Sequence, residues 1–160
     1  MDIGIRQPFI FRFFNKKYLT CEIPNNGQTV YLTFDDGPVP EITPEVLKIL
    51  ERRSIRATFF CIGDNVKKYP QLFQQVISAG HTVGNHSFNH LNGWKTPTGQ
   101  YVDNVMRCKE YFTTPLFRPP YGRFSMSQYL VLRKHFHSVF TVTNSFKNRR
   151  ISFHGLMLCD

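Results

Sequence analysis

Strand-like and helix-like patterns alternate along the chain from Thr29 onward. β-Branched and aromatic residues at Thr29–Phe34 predict one strand, and the nearly all-apolar segment Ala57–Ile62 predicts a second strand that is buried on both faces. Between them lies a predicted helix, with Thr43 as its N-cap and Pro44 as its first residue. Its apolar face is formed by residues at helical spacing, namely Val46, Leu47, Ile49 and Leu50.

The alternation continues to the last third of the chain. Further helices are predicted from Pro70 to Gly80, from about Thr98 to Phe112 and around Ser127–His135, and further strands at Thr82–Asn85, Leu116–Phe117 and Ser138–Val142. This order predicts right-handed parallel βα units in one α/β domain, which a length of 160 residues accommodates. Sites in such architectures form at the carboxyl ends of the strands.

Three polar motifs follow predicted strands directly. Asp35 and Asp36 close the first strand, His86 and His90 follow the third, and Arg118 and Tyr121 follow the fourth. Taken singly, each motif has an ordinary explanation: a turn, a surface histidine pair or a rigid proline turn. Because all three occur in order at strand ends, we expect them to converge in one site.

Two imidazoles and one carboxylate make a three-ligand metal site with an open position, which is typical of catalytic rather than structural sites. If the turn is helical, His86 and His90 lie on one face and reach the same cation. One aspartate then binds the cation, and its neighbour accepts a proton from a water molecule that the cation activates. Arg118 would hold that base in place and keep it ionised. The chemistry indicated is metal-assisted hydrolysis of a carbonyl compound.

The same motifs carry a family resemblance. "TFDDGP" (Thr33–Pro38), "HSFNH" (His86–His90) and "RPPYG" (Arg118–Gly122) closely resemble the first three motifs of the polysaccharide deacetylases, the NodB-homology group or carbohydrate esterase family 4. The resemblance covers about Thr29 to Leu132. It implies a distorted, incomplete (β/α) barrel of parallel strands and a hydrolase that removes acetyl groups from N-acetylated, N-acetylglucosamine-containing glycans, or in some members from O-acetylated ones.

Roles for individual residues follow from this resemblance. It implies Asp35 as the catalytic base, Arg118 as the group that orients and tunes that base, the backbone N–H of Tyr121 as an oxyanion donor, and Asp36, His86 and His90 as metal ligands. The implied cofactor is a divalent cation, usually zinc, and the implied partner is an acetylated glycan. Ser87 is expected to orient the histidine turn rather than to act as a nucleophile.

The chain departs from the family pattern after Leu132. The family continues with an Asp-containing segment and an apolar strand ending in His-Asp, whereas "SVFTVTNSF" has no acid and His154 is followed by Gly155. We therefore expect an N-terminal extension at 1–28 and a deacetylase domain at 29–160 with an atypical tail at 136–160, through truncation or a frameshift. The expected consequences are a barrel without its last strands and impaired activity. His154 is expected to be incidental, and His135 and His137 to be structural or solvent-facing.

The net charge of +9 raises the alternative of a nucleic-acid binder. Residues 111–160 contain seven Lys/Arg and one Asp/Glu, against 13 and 10 in residues 1–110, so most of the net charge comes from residues 111–160. No base-stacking motif accompanies it, and we expect no nucleic-acid partner. A non-catalytic carbohydrate-binding relic of the deacetylase fold stays open as the alternative function.

Cysteines and targeting signals add little chemistry. The four cysteines are far apart in sequence, unlike zinc-binding pairs, and are expected to be small buried hydrophobes. The apolar patch near the start lacks a signal-peptide pattern and no run approaches the length of a membrane span, so a cytoplasmic location is the default expectation. The oligomeric state is left open.

Overall fold

Six parallel strands form one sheet in the computed structural model, which describes residues 19–20 and 31–140. The strands are β1 (Leu19–Thr20), β2 (Thr33–Asp35), β3 (Thr58–Cys61), β4 (Thr82–Asn85), β5 (Leu116–Phe117) and β6 (Ser138–Phe140), in the spatial order β1-β6-β5-β4-β3-β2. Every pair is parallel. Within the described residues β1 and β2 do not pair with each other, so the sheet is open, as expected for an incomplete barrel of parallel strands.

Five helices lie between the strands in residues 31–140: α1 (Thr43–Arg52), α2 (Gly63–Lys68), α3 (Pro70–Ser78), α4 (Thr98–Met106) and α5 (Met126–Leu132). Short 3₁₀ turns occupy Gly93–Lys95, Arg107–Glu110 and Pro120–Gly122. The helix at Pro70 ends as predicted, because Gly80 adopts a φ of 75° just beyond it, a conformation that glycine adopts without strain. None of the helices among the described residues is long and apolar enough to cross a membrane.

Several predicted boundaries are wrong. Ile42 rather than Thr43 is the N-cap of α1; Thr43 is the first helical residue, and its hydroxyl accepts a hydrogen bond from the Val39 N–H (2.8 Å). The helix α2 was not predicted. The helix from Thr98 stops at Met106 and tightens into a 3₁₀ turn rather than continuing to residue 112. α5 begins one residue earlier than predicted, after Ser125, which forms a capping box with Gln128.

In the part of the chain that the structure describes, two apolar clusters hold the helices to the sheet. One joins residues of α1 and α3 to β3 and includes Leu50, Phe59, Phe73 and Val76. The other joins α4 and α5 to β5 and β6 and includes Tyr101, Phe117, Leu132, Phe136 and Val139. Burying a large apolar side chain contributes roughly 1.5–3 kcal/mol, so these clusters are the main source of stability.

Two of the four cysteines lie among the described residues. Cys61 and Cys108 are free and fully buried, as the prediction of small buried hydrophobes requires. Burial raises the pKa of both thiols, that of Cys108 to about 12, so neither is a reactive thiolate at neutral pH.

Some predictions fall outside the described residues. They concern most of the N-terminal extension at 1–28, the beginning and end of the predicted strands at 29–30 and 141–142, the tail from 141 to 160 with His154, and the cysteines Cys21 and Cys159. Residues 136–140, at the start of the predicted atypical tail, contribute Phe136 and Val139 to the core and the strand β6 to the sheet.

Candidate active site

The three polar motifs meet at the carboxyl ends of their strands. Asp35 ends β2, His86 directly follows β4, and Arg118 directly follows β5. The backbone also joins the last two, because the Arg118 N–H donates to the carbonyl of Asn85 (2.9 Å). The convergence predicted from the order of the motifs is therefore confirmed.

Asp35 and Arg118 form a short, largely buried ion pair. Arg118 Nη1 lies 2.6 Å from Asp35 Oδ1 and also donates to Thr33 Oγ1 (2.9 Å), and only 7% of the Arg118 residue is exposed. Thr33 was not identified from the sequence. The sequence could have indicated it, since Thr33 and Asp35 are two residues apart on one strand and such residues lie on the same side of the sheet.

A row of residues across the sheet supports this guanidinium. Asp35 is in register with Phe60 on β3, and Phe60 is in register with Gly84 on β4. A Cβ at position 84 would lie 2.4 Å from the Phe60 ring, so glycine leaves the space that the ring occupies. The Arg118 guanidinium carbon lies 4.0 Å from the Phe60 ring centroid, within the range of a cation–π contact.

Asp36 points to the histidines rather than to Arg118. Its buried Oδ1 lies 3.1 Å from His90 Nε2 and 3.4 Å from His86 Nε2, and the two imidazole centroids are 5.1 Å apart. One ligand atom from each of the three residues lies within 4.8 Å of the others. The two adjacent aspartates thus have separate partners, as predicted from the directions of successive side chains.

The histidine segment is not helical, contrary to the expectation from the four-residue spacing. Ser87 and His90 have positive φ angles of 63° and 55°, and this irregular backbone, not a helical turn, brings the imidazoles together. Asn104 on α4 fixes the segment, since its Oδ1 accepts from the N–H groups of both Phe88 and Asn89 (3.0 Å each). No sequence pattern distinguished Asn104 from the other polar residues of that helix.

Unfavourable backbone angles concentrate here. Five non-glycine residues in the described part of the chain have positive φ, and four of them are Asp36, Ser87, His90 and Tyr121. Such conformations cost of the order of 1–3 kcal/mol each and persist where the surroundings hold them. Asn65 supplies part of that support by donating to the backbone carbonyl of Asp36 (2.8 Å).

The electrostatics of His86 suit a metal ligand. Burial lowers the pKa of His86, so its neutral imidazole is favoured although Asp35 and Asp36 are nearby. Its Nδ1 lies 2.7 Å from the Arg118 carbonyl oxygen, which can only accept, so Nδ1 carries the proton. The Nε2 lone pair then faces the Asp36 carboxylate, an arrangement of donor atoms that a cation between them would stabilise.

Tyr121 and Ser87 also lie at this site. The Tyr121 ring packs against the His90 ring at a centroid distance of 4.6 Å, and 60% of the residue is exposed. Ser87 is fully buried, donates its N–H to Asn85 Oδ1 (2.7 Å) and accepts at its carbonyl from the Gly63 N–H (3.0 Å). These bonds fix the backbone next to His86, in line with an orienting rather than a nucleophilic role.

The remaining described histidines lie elsewhere. His81 precedes β4, and His135 and His137 precede β6, which places all three towards the amino ends of these parallel strands, away from the candidate site. His135 and His137 are exposed, as expected. Among residues 31–140, therefore, His86 and His90 are the histidines of this site; His154 lies outside the described residues.

Comparison with known proteins identifies relatives of this chain. The chain is 41% identical over 110 residues to a peptidoglycan-N-acetylglucosamine deacetylase of Bacillus cereus, covering 66% of this chain and 52% of the relative. It is 38% identical over 122 residues to a chitooligosaccharide deacetylase of Azorhizobium caulinodans, covering 71% and 58%. The chain thus spans a little over half the length of these curated relatives.

The fold has a matching solved structure. A peptidoglycan N-acetylglucosamine deacetylase crystallised with a naphthalenyl N-hydroxybenzamide superposes with a TM-score of 0.73 at 29% identity, covering 84% of this chain and 65% of that one. The sequence model of the polysaccharide deacetylases matches residues 22–138, which include all three strand-end motifs. This chain therefore belongs to the polysaccharide deacetylase family.

Proposed function

We propose that this protein hydrolyses acetyl groups from N-acetylglucosamine units of a polysaccharide or oligosaccharide and that a divalent cation, expected to be zinc, is required. The observation that carries the proposal is the juxtaposition of an Asp-His-His donor set with the Asp35–Arg118 ion pair at one end of the sheet. Relatives named as peptidoglycan-N-acetylglucosamine and chitooligosaccharide deacetylases support the substrate class.

Asp36, His86 and His90 are the residues that would hold the cation. One carboxylate and two imidazoles match the ligand set of three-ligand catalytic zinc sites, and the neutral state of His86 is the state that binds metals. When bound, a divalent cation lowers the pKa of water and polarises the acetyl carbonyl.

Asp35 is proposed to accept the proton of the attacking water. Arg118 bonds Asp35 Oδ1, which fixes the carboxylate and leaves Oδ2 as the acceptor. The water oxygen adds to the acetyl carbonyl carbon, and the N–H of Tyr121 is proposed to donate to the oxygen that becomes negative. The carbon–nitrogen bond then breaks as the sugar nitrogen gains the proton that Asp35 took from the water, and the products are acetic acid, which ionises to acetate, and the free amine.

The direct test is acetate release from chitooligosaccharide and from peptidoglycan by purified protein, before and after chelation and after adding zinc. We expect release that disappears on chelation, returns with zinc, and falls by about 100-fold or more in Asp35→Asn, the range for loss of a general base. His137→Gln serves as the control for a substitution outside the site, because His137 is exposed and lies near the start of β6.

Two outcomes would contradict the proposal. Release that is insensitive to both chelation and Asp35→Asn would rule out this site as its origin. Glycan binding without acetate release at any metal loading would instead support the non-catalytic carbohydrate-binding alternative.

A further inference from the structure

An exposed indole lies on the segment that also carries His90. Trp94 is the only tryptophan of the chain, and 59% of it is exposed. It belongs to the 3₁₀ turn Gly93–Lys95, four residues after His90. Large aromatic side chains usually contribute to a core or to an interface, so an exposed indole this close in sequence to a candidate site suggests a ligand contact.

The indole is held in a fixed orientation. Its Nε1 donates to the Phe124 carbonyl (3.2 Å), and its backbone N–H donates to Asn92 Oδ1 (3.0 Å). The buried Gln128 amide fixes the turn from beneath by donating to the carbonyls of Gly93 (2.9 Å) and Thr96 (3.0 Å). The only polar atom of the indole is thus bonded within the protein, although more than half of the residue stays open. Because the indole is already ordered, little conformational entropy is lost when a ligand binds to it.

Two contacts connect this indole to the candidate site. Trp94 is bonded to Phe124, and the exposed Tyr121, three residues earlier in the same segment, packs on His90 (4.6 Å). The segments after β4 and β5 are therefore joined at two points, one at Trp94 and one at Tyr121. Arg123 adds a cation beside the indole, with its guanidinium carbon 5.1 Å from the Trp94 ring centroid.

We propose that Trp94 is a stacking platform for a second sugar of the substrate, next to the N-acetylglucosamine unit that reacts. The inference rests on the proposed deacetylase function. Pyranose rings present a face of C–H groups that packs on an aromatic ring, while the guanidinium of Arg123 offers donors to hydroxyl or carbonyl oxygens. Trp94 would thus give the enzyme a preference for chains over single sugars.

The chain-length profile tests this platform. Acetate release is measured on N-acetylglucosamine and its β-1,4-linked oligomers up to the pentamer, with wild type, Trp94→Ala and Trp94→Phe. We expect kcat/KM of wild type to rise with chain length. In Trp94→Ala the pentamer-to-monomer ratio should fall by about tenfold, comparable with the loss of one aromatic stacking partner for a nucleic-acid base, with the loss falling on KM. Trp94→Phe should retain much of the ratio.

Tyr31→Ala is the matched control, because Tyr31 is 53% exposed and precedes β2, at the opposite end of the sheet. Its chain-length profile should equal that of wild type. An unchanged profile in Trp94→Ala would overturn the proposal. An equal loss on monomer and pentamer would also overturn it, since this would indicate damage to the reacting site rather than loss of a second-sugar contact.

A binding measurement separates this platform from the proposed activity. Because Trp94 is the sole tryptophan, its fluorescence reports directly on this position. Adding the pentamer to Asp35→Asn protein should quench the emission and shift it to shorter wavelength. Acetate release with no change in emission would overturn the platform and leave the proposed function standing. A change in emission without acetate release by wild type would retain the platform and reject catalysis. If calorimetry detects no binding of the pentamer, the platform is overturned.

Discussion

The ion pair between Asp35 and Arg118 is the most informative interaction to perturb. Its two atoms are 2.6 Å apart, the Arg118 side chain is 9% exposed and that of Asp35 is 24% exposed. We consider Asp35→Asn, Arg118→Met and the double variant, which together form a double-mutant cycle. Methionine is unbranched and adaptable enough to fill the space over Phe60 without the charge.

The expected coupling follows from burial and geometry. Hydrogen bonds to charged groups contribute about 1.5–3 kcal/mol, and partial exposure of Asp35 places this pair at the lower end, near 1.5 kcal/mol. Arg118→Met should cost about 2–3 kcal/mol, since it removes a partner from a mostly buried charge and loses the bond to Thr33. The double variant should be less destabilised than the sum of the two single variants by the coupling energy.

Urea unfolding of the four proteins, at matched zinc content, gives the coupling. The exposed ion pair between Lys48 and Glu45 is the control cycle, because its atoms are 2.7 Å apart but both side chains are more than half exposed. Exposed pairs contribute little, so this cycle should give no measurable coupling. Additive effects in the Asp35–Arg118 cycle, equal to those of the control, would refute the conclusion that burial makes this pair strong.

Three further perturbations test other parts of the structure. Gly84→Ala should cost about 1–3 kcal/mol in the free energy of unfolding, because its Cβ would meet the Phe60 ring at 2.4 Å, and Phe60→Leu in the same chain should recover part of this loss. Burial, with a smaller contribution from a nearby arginine, lowers the pKa of His81 below its ordinary value of 6.5, and its Nδ1 accepts from the Ala57 N–H. As the pH falls, the unfolded chain therefore binds a proton at His81 before the folded chain does, so His81 stabilises the fold above about pH 6.5 and this contribution is lost below it. The urea midpoints at pH 7.5 and pH 5.5 should therefore differ less in His81→Gln than in wild type. An equal difference in the two proteins would contradict the assignment. Asn104→Leu should weaken zinc binding by about 10–100-fold, because it removes the acceptor for two backbone N–H groups. Asn104→Asp keeps that oxygen and should bind zinc more tightly than the leucine variant in the same titration.

The sequence predicted the elements that carry periodic patterns and the convergence of the motifs. The strand at Thr82–Asn85 was predicted with its observed bounds, and the segment at Ala57–Ile62 became the buried strand β3. Convergence followed from a topological rule, because parallel strands present their carboxyl ends at one edge. The helix α2 was missed because its six residues, GDNVKK, contain a single large apolar position and directly follow a strand.

Interactions that depend on strand register or on irregular backbone were beyond prediction. The support of Arg118 by Phe60 and Gly84 depends on the register of three strands, which local patterns do not specify. The expectation that His86 and His90 share a helical face was wrong about the backbone and right about the proximity. Positive φ angles, stabilised from α4, place the two imidazoles together instead.

Zinc binding tests the central claim most directly, namely that Asp36, His86 and His90 hold one divalent cation. Chelator-treated protein is titrated with zinc by calorimetry, comparing wild type with His90→Gln, and with His137→Gln as the control. We predict one zinc per chain in wild type and in His137→Gln. We predict an affinity lower by more than about 100-fold in His90→Gln, since loss of an outer partner alone costs 10–100-fold. Zinc binding to His90→Gln with the stoichiometry and affinity of wild type would contradict the account.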